Sequence, residues 1–277
     1  MKTIILCGGL GTRLREETEF RPKPMIAIGG KPILWHIMRR YSTSGFKEFI
    51  LCLGYKGEAI KNYFLEYDLV HSDFTIRLGT KEITRHSVFH DESGWQVTLA
   101  ETGLQTMTGG RVKKIEKYID GDCFMMTYGD GLANIDIHDL LKFHKERGKV
   151  ATVTAVRPIA RFGELSVDGD LVESFREKPQ IGSGWINGGF FVFQRKIFDY
   201  LDEECVLEKE PMERLAREKQ LAVYKHTGYW RCMDTYRDFE ALNHDWESGR
   251  PGWLELDEGN VRQARVGRKT QGGRGVK

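Results

Sequence analysis

Residues 4–24, Ile-Ile-Leu-Cys-Gly-Gly-Leu-Gly-Thr-Arg-Leu-Arg-Glu-Glu-Thr-Glu-Phe-Arg-Pro-Lys-Pro, decide the fold of this 277-residue chain and indicate its function. The apolar residues 4–7 predict a buried strand that leads into three glycines within four positions, 8–11. A loop with so few side chains can bring its backbone N–H groups close to an anion. Arg13 carries a planar fork that suits phosphate oxygens, and Lys23 is a point charge between two prolines that stiffen the backbone. Together these features predict a site for a nucleoside triphosphate.

The spacing of these glycines excludes two common phosphate-binding motifs. The dinucleotide fingerprint needs a third glycine where Leu14 stands, and the chain contains no P-loop Gly-Lys-Ser/Thr run. The stretch instead resembles the signature of the sugar-1-phosphate nucleotidyltransferases, Gly-Gly-x-Gly-Thr-Arg-Leu followed by Pro-Lys-Pro. A plain glycine turn between a strand and a helix would explain the glycines, but it would not explain Arg13 and Lys23 beside them.

Composition is typical of a soluble globular protein, with 40% apolar and 30% charged residues. The five cysteines are odd in number and scattered, which favours reduced thiols in a cytoplasmic protein over a disulfide framework. The N-terminus shows no signal peptide, and no apolar run is long enough to span a bilayer, so we expect no membrane partner.

The last residues of the chain differ in character from the rest. Residues 261–277 hold six basic residues and no acidic one, and without them the chain has 36 basic against 40 acidic residues. This segment is glycine-rich and nearly lacks large apolar residues, so we predict a folded domain over 1–258 and a basic, disordered tail over 259–277. The tail has no aromatic residues for stacking on bases, and we expect no nucleic-acid partner.

Strand-like and helix-like segments alternate over the first 67 residues, which favours a parallel sheet with right-handed crossovers. Residues 68–105 break this alternation, and we expect 74–78 and 96–100 to form a β-hairpin excursion that packs on something, such as another subunit. His86 and His90 lie in it. We interpret both as surface histidines, because a metal pair at this spacing requires a helix. The whole pattern predicts one α/β domain with a Rossmann-like, mixed but mostly parallel sheet flanked by helices.

Two aspartates that follow apolar stretches are candidate metal ligands. Asp130 follows the predicted strand 123–128 and lies between two glycines, and Asp234 follows 229–233. Ligands of open α/β sheets bind at the carboxyl ends of the strands, where both carboxylates could meet. A site with only a few protein carboxylate ligands suits Mg²⁺, because this ion keeps bound waters and takes substrate phosphates as further ligands. Alone, Asp130 could be a turn residue and Asp234 a helix cap, but the pair beside the first loop favours a metal.

Two later stretches supply another cation and another bare backbone. Glu177-Lys178-Pro179 places a lysine before a proline, as at Lys23, and Asn187-Gly188-Gly189 opens a predicted strand. In the family that the chain resembles, this lysine meets the sugar-linked phosphate and the Asn-Gly-Gly segment lies along the sugar. A surface ion pair and a bulged strand are the alternatives that the residues alone leave open.

The resemblance extends over about residues 1–256 and implies a role for each matched position. The implied nucleotide contacts are Leu6, Cys7, Gly8, Gly9, Leu10, Gly11, Thr12, Arg13, Lys23, Thr106, Arg111 and Gly129. The implied sugar-phosphate contacts are Tyr128, Glu177, Lys178, Asn187 and Gly188. Asp130 and Asp234 would hold Mg²⁺, and Arg13, Lys23, Lys178 and Asp130 would carry the catalysis. The resemblance also implies a homo-oligomer, either a hexamer or a trimer.

The branch of the family that the sequence resembles most implies CTP and glucose 1-phosphate as substrates. Its product, CDP-glucose, is a precursor of bacterial surface polysaccharide. The residues themselves do not select the base, so a uridylyl- or thymidylyltransferase stays an alternative. A glycosyltransferase usually carries Asp-x-Asp, which is absent at Asp130-Gly131-Leu132. A non-catalytic sugar-nucleotide-binding protein could dispense with Arg13, Lys23 and Asp234.

Overall fold

The computed structural model describes residues 1–86, 91–157, 164–168, 171–176 and 184–255. The strands are β1 (Lys2–Leu6), β2 (Ala27–Ile28), β3 (Lys31–Pro32), β4 (Glu48–Leu53), β5 (Phe74–Arg77), β6 (Glu82–Arg85), β7 (Gln96–Glu101), β8 (Cys123–Tyr128), β9 (Gly131–Ala133), β10 (Ala151–Val156), β11 (Glu164–Asp168), β12 (Leu171–Arg176), β13 (Ile186–Gln194), β14 (Leu221–Lys225) and β15 (Trp230–Cys232). The helices are α1 (Arg15–Thr18), α2 (Ile33–Thr43), α3 (Gly57–Leu65), α4 (Tyr67–Val70), α5 (Thr108–Lys114), α6 (Ile137–Arg147), α7 (Glu210–Arg217) and α8 (Tyr236–Glu247), with 3₁₀ turns at Thr12–Leu14, Lys23–Met25, Glu116–Tyr118 and Arg195–Tyr200.

Some sequence predictions fall outside these ranges. They are the tail 259–277 with the domain end at 258, the histidine His90, and the sugar-phosphate residues Glu177 and Lys178. Among the described helices, none has both the length and the apolar composition needed to cross a bilayer.

Seven strands form one mixed sheet in the order β14-β10-β13-β8-β1-β4-β7. Strands β8, β1, β4 and β7 run parallel to one another, and β10 runs parallel to β14. Strand β13 is antiparallel to both β8 and β10. The predicted mixed, mostly parallel sheet is therefore confirmed. Because β13 is reversed, its first residues lie at the same edge where the carboxyl ends of β1 and β8 meet.

The two faces of the sheet are buried in separate apolar clusters. Along β1 and the residue after it, Ile5 and Cys7 pack with α2, α6 and α8, whereas Ile4 and Leu6 pack with α5 and α7. A strand covered on both faces has no polar alternation, which explains the continuous apolar run at its sequence positions. Helices on both sides therefore hold the strand ends, and the loops that follow them, in fixed positions.

The helix ends follow from local side-chain chemistry. The Asp136 carboxylate accepts hydrogen bonds from the His138 and Asp139 backbone N–H groups at 2.9 and 3.0 Å, so Asp136 caps the start of α6. Helix α8 begins with a capping box in which Thr235 and Asp238 bond each other's backbone N–H groups. Helix α8 is therefore capped by Thr235 and not by Asp234. The Asp234 side chain instead lines the cleft described below.

The region 68–105 differs from the prediction in its strand pairing. A hairpin is present, but it pairs β5 with β6, with Ile76 opposite Ile83. Residues 96–100 were predicted as its second strand, which is wrong. They belong to β7, which pairs parallel with β4 at the edge of the main sheet. An edge strand is covered less evenly than a central one, and it therefore shows the same polar alternation as a hairpin strand.

The remaining local predictions concern histidines and cysteines. The exposed His86 ring shares a 2.8 Å hydrogen bond with the Thr75 hydroxyl across the hairpin, as expected of a surface residue. His144 is buried on α6 and bonds the Thr152 hydroxyl at 2.9 Å, so it belongs to the packing of that helix. All five cysteines are free thiols.

Candidate active site

A cleft of about 660 Å³ opens at the edge of the sheet where β1 and β8 end and β13 begins. It collects most of the residues that the sequence predicted for the site: Leu6, Cys7, Gly8, Gly9, Gly11, Thr12, Arg13, Lys23, Thr106, Arg111, Tyr128, Gly129, Asp130, Asn187, Gly188 and Asp234. Leu10 projects from the same loop and is exposed rather than part of the cleft wall.

The glycines of the first loop are required for two different reasons. Gly11 has a φ of +64°, and an added Cβ would lie 2.7 Å from the Thr18 methyl group. A Cβ at Gly8 would overlap the Arg111 guanidinium at 2.1 Å. At Gly9, by contrast, an added Cβ would meet no protein atom within 4 Å. Packing therefore explains Gly8 and Gly11, whereas Gly9 leaves bare backbone facing open space.

Arg111 supports this loop from within the protein. The residue is only 4% exposed, and it lies on α5. Nη1 donates to the Leu53 carbonyl and the Thr102 hydroxyl at 2.9 and 2.7 Å, and Nη2 donates to the Gly8 carbonyl at 3.0 Å and the Leu104 carbonyl at 3.3 Å. Burial lowers the pKa of this guanidinium. Arg111 thus holds Gly8 in place, and its direct contact with a nucleotide stays a prediction.

Two cations and two carboxylates form a compact charged group in the cleft. The Lys23 ammonium donates to Asp130 Oδ2 at 2.6 Å and to Asp234 Oδ1 at 2.7 Å, and Arg13 Nη1 donates to Asp234 Oδ2 at 3.1 Å. Burial alone would lower the pKa of Lys23, but the adjacent Asp130 and Asp234 outweigh it, and the net shift is upward. The Arg13 side chain is 75% exposed, so its guanidinium is open to a ligand in the cleft.

The two aspartates meet because of a short strand pair outside the main sheet. Strand β9 begins one residue after Asp130, and β15 ends two residues before Asp234. The two strands are antiparallel, with Gly131 opposite Cys232, and the Met233 N–H donates to the Asp130 carbonyl at 2.8 Å. Sequence reasoning placed both carboxylates at the strand ends, but it did not identify this pairing.

Cys232 is a cleft residue that the sequence analysis did not assign. Its sulfur and one oxygen each from Asp130 and Asp234 lie within 4.8 Å of one another. Burial, followed by the two neighbouring carboxylates, raises the pKa of this thiol, so it stays protonated at neutral pH. The sequence offered one signal for Cys232, its position two residues before the predicted metal ligand Asp234.

The opposite wall of the cleft is built from β8, β13 and β15. Gly189 has a φ of +81° and lies against the Tyr128 ring, where a Cβ would approach to 2.7 Å. The Asn187 amide donates to the Tyr128 hydroxyl at 3.3 Å, and Trp230 Nε1 donates to the Gly188 carbonyl at 2.8 Å. The Asn-Gly-Gly segment is thus held at both ends, with Asn187 exposed to the cleft. The role of Trp230 could not be read from the apolar run that contains it.

Comparison with known proteins agrees with this geometry. Residues 2–248 match the family model described as nucleotidyl transferase. The chain is 48% identical over 256 residues to the glucose-1-phosphate cytidylyltransferase of Salmonella typhi, with 91% of this chain and 98% of that protein covered. It is 46% identical over 255 residues to the probable glucose-1-phosphate cytidylyltransferase of Bacillus subtilis, with 91% and 99% covered.

Solved structures resemble the chain in fold. A UDP-glucose pyrophosphorylase in complex with UDP-glucose superimposes with a TM-score of 0.64 over 90% of this chain and 99% of that one. At 14% identity this similarity concerns the arrangement of the sheet and helices alone.

Proposed function

Because the chain belongs to the nucleotidyl transferase family, we propose that it is a glucose-1-phosphate cytidylyltransferase. The reaction transfers CMP from CTP to α-D-glucose 1-phosphate and yields CDP-glucose and pyrophosphate. The choice of substrates is supported by relatives of that name at 46–48% identity over nearly their whole length. They favour CTP over UTP and dTTP, and an enzyme over a non-catalytic binding protein.

One observation carries the proposal. A bare glycine loop, an exposed arginine and a lysine held by two carboxylates share a single cleft with an amide-bearing wall. Such a cleft can hold two anions at once, with backbone N–H groups and cations on one side and polar groups for a sugar on the other. A cleft used only to bind a nucleotide sugar would not need a pair of carboxylates at the same place.

The chemistry requires electrostatic help rather than a protein nucleophile. A phosphate oxygen of glucose 1-phosphate, already ionised at neutral pH, forms a bond to the α-phosphorus of CTP while the bond from that phosphorus to the bridging oxygen breaks. We expect Arg13 and the loop N–H groups to stabilise the charge that grows on pyrophosphate, and Lys23 to hold the α-phosphate. Lys178, outside the described residues, is proposed to hold the incoming phosphate.

We propose Mg²⁺ as the cofactor. Asp130 and Asp234 fit this ion, because both offer carboxylate oxygens and their side chains are 24% and 26% exposed in the cleft. The protonated Cys232 sulfur beside them is not a ligand that Mg²⁺ favours. When bound to these carboxylates, the ion would neutralise phosphate charge in the transition state.

An exposed apolar face on the β5–β6 hairpin supports the proposed homo-oligomer. Register places Ile76 opposite Ile83, and side chains two apart in a strand share a face. The large apolar residues of the two strands on this face are exposed, Phe74 41%, Ile76 42% and Ile83 43%, and Leu78, in the turn after β5, is 81% exposed. Because a two-stranded hairpin is marginal alone, we propose that a second copy of the chain covers it.

Light scattering on purified protein tests the oligomer. Ile76→Lys should shift the mass toward smaller species, whereas Thr75→Lys, on the opposite face of the same strand, should leave it unchanged. A monomeric wild type would contradict the proposal.

The free cysteines suit a reducing compartment, and we propose the bacterial cytoplasm as the place where the protein acts. We also propose that its product is supplied to surface polysaccharide such as O-antigen.

Pyrophosphate release tests the activity. The purified protein, with Mg²⁺ and glucose 1-phosphate, is given CTP, UTP, dTTP, ATP or GTP in separate reactions, and CTP should react fastest. Asp130→Asn should lose the activity, while Asp199→Asn, an exposed aspartate outside the cleft, should keep it. Faster turnover of UTP or dTTP would replace the substrate assignment, and no release with any nucleotide would refute the proposed function.

A further inference from the structure

The Glu208 carboxylate joins two parts of the cleft wall by using each of its oxygens. Oε1 accepts the Tyr128 hydroxyl at 2.5 Å, and Oε2 accepts the Thr108 hydroxyl at 2.6 Å. Tyr128 is the last residue of β8 and Thr108 the first of α5, and both line the cleft, whereas Glu208 does not. One side chain outside the cleft thus connects the strand that leads to Asp130 with the helix that carries Arg111.

The same hydrogen-bond chain extends to Asn187. A phenol has a single hydrogen, and because Tyr128 donates it to Glu208, the phenol oxygen is left as an acceptor. The Asn187 amide nitrogen donates to that oxygen at 3.3 Å, while the amide oxygen accepts the Gly189 N–H at 2.8 Å. Glu208 therefore determines the direction of the Tyr128 hydroxyl, which in turn determines how the Asn187 amide is oriented.

The segment that carries Glu208 is docked firmly, although the side chain itself is exposed. Added Cβ atoms at Gly109 and Gly110 would lie 2.3 Å from the Cys205 sulfur and 2.1 Å from the Glu203 carbonyl oxygen. The Gly110 N–H donates to the Cys205 carbonyl at 3.1 Å, and the Leu207 N–H donates to the Thr108 hydroxyl at 3.0 Å. This close contact between residues 203–207 and the first turn of α5 gives Glu208 a fixed base.

We propose that Glu208 is a positioning residue for the sugar phosphate, acting through the Tyr128 hydroxyl and the Asn187 amide. The inference rests on the proposed function, which places Tyr128 and Asn187 on the sugar side of the cleft.

Steady-state kinetics with glucose 1-phosphate and CTP varied in turn test the proposal. Glu208→Ala should raise KM for the sugar phosphate about tenfold, the effect of losing one hydrogen bond to a charged group, with KM for CTP changed less than about twofold. Glu208→Gln should restore KM to within about threefold of wild type, because its carbonyl oxygen can accept from Tyr128 and its amide can donate to the Thr108 oxygen. Glu210→Ala, two residues further along, is the matched control.

A double variant separates positioning from direct contact. If Glu208 acts through Tyr128, then Tyr128→Phe alone should reproduce the rise in KM, and adding Glu208→Ala should increase it little further. Additive effects would mean that Glu208 acts on the substrate by another route and would overturn the proposal. An unchanged KM in Glu208→Ala would also overturn it, as would equal losses for both substrates without rescue by glutamine. A wild type that transfers no nucleotide would instead refute the proposed function, and this inference with it.

Discussion

Replacing Arg111 with methionine tests the claim that a buried guanidinium holds the glycine loop in place. Methionine fills much of the same space, but it donates no hydrogen bonds. The change would remove four hydrogen bonds, to the carbonyls of Gly8, Leu53 and Leu104 and the hydroxyl of Thr102. The Tyr55 N–H would still donate to Gly8, and the Thr102 N–H and hydroxyl would still donate to Leu53.

The expected loss of stability follows from these four bonds. At about 1 kcal/mol for each bond, the variant should lose about 4 kcal/mol of unfolding free energy. Removing the buried charge returns part of its desolvation cost, and we expect the loss of the four bonds to exceed that gain. With a urea dependence of about 3 kcal/mol per molar, the unfolding midpoint should fall by about 1.3 M.

Urea unfolding followed by fluorescence measures the midpoint. Arg111→Lys keeps the charge but presents a single ammonium, which cannot reach all four acceptors, so it should be nearly as unstable as methionine. Arg217→Met, at an exposed position at the end of α7, should change stability by less than about 0.5 kcal/mol. The loop should also bind nucleotide less well, which calorimetric titration with CTP would show as a weaker affinity.

Three outcomes would contradict parts of this reasoning. A midpoint for Arg111→Met within the range of the Arg217→Met control would mean that the four bonds contribute nothing net. Full stability in Arg111→Lys would mean that the charge, and not the fork of donors, supports the loop. If stability fell as expected but nucleotide affinity did not, the loop would not depend on the anchored Gly8 carbonyl.

Further predictions concern the loop, the charged group and a buried histidine. Gly9→Ala should fold with wild-type stability, because its Cβ meets no protein atom, yet it should weaken CTP binding; unchanged affinity by calorimetry would show that no ligand approaches there. Arg13→Ala, Lys23→Ala and Asp130→Asn should each lower kcat by about 10²–10³, measured by pyrophosphate release, and near-normal turnover in any of them would remove that residue from the mechanism. Chelation of divalent cations should abolish turnover and added Mg²⁺ should restore it; activity that persists in excess chelator would exclude the metal. Burial lowers the pKa of His36 from 6.5 to about 4, so the unfolded chain takes up a proton below about pH 6.5 that the folded chain takes up only near pH 4. The unfolding free energy should therefore fall by up to about 3 kcal/mol as the pH drops from about 6.5 to about 4. If the unfolding free energy of His36→Gln fell equally steeply, the pH dependence would come from other groups.

Local chemistry explains which features the sequence could predict. Glycine spacing, a following arginine and a proline-flanked lysine are recorded in adjacent residues, and the structure brings Gly8, Arg13 and Lys23 to one cleft as expected. The same is true of helix caps such as Asp136, whose role depends on residues two and three positions away.

Features that depend on distant partners were missed or placed wrongly. Strand β7 has the alternation of a hairpin strand, and only its pairing with β4 shows that it belongs to the main sheet. Two of the four hydrogen bonds of Arg111 reach carbonyls that lie 58 and 103 residues away, those of Leu53 and Gly8, and no local pattern records them. Glu208 has no motif at all, because its two partners lie 80 and 100 residues earlier in the chain.

The pairing of β9 with β15 also bears on how the protein emerges from the ribosome. A nascent chain that has reached residue 229 already contains the glycine loop, Arg13, Lys23 and Asp130, but it lacks the strand that delivers Asp234. Until translation passes that point, the lysine can contact only one of its two carboxylates and the β9 edge has no neighbour. The cleft is therefore completed only after residue 234 has been made, more than two hundred residues after the strand that begins it.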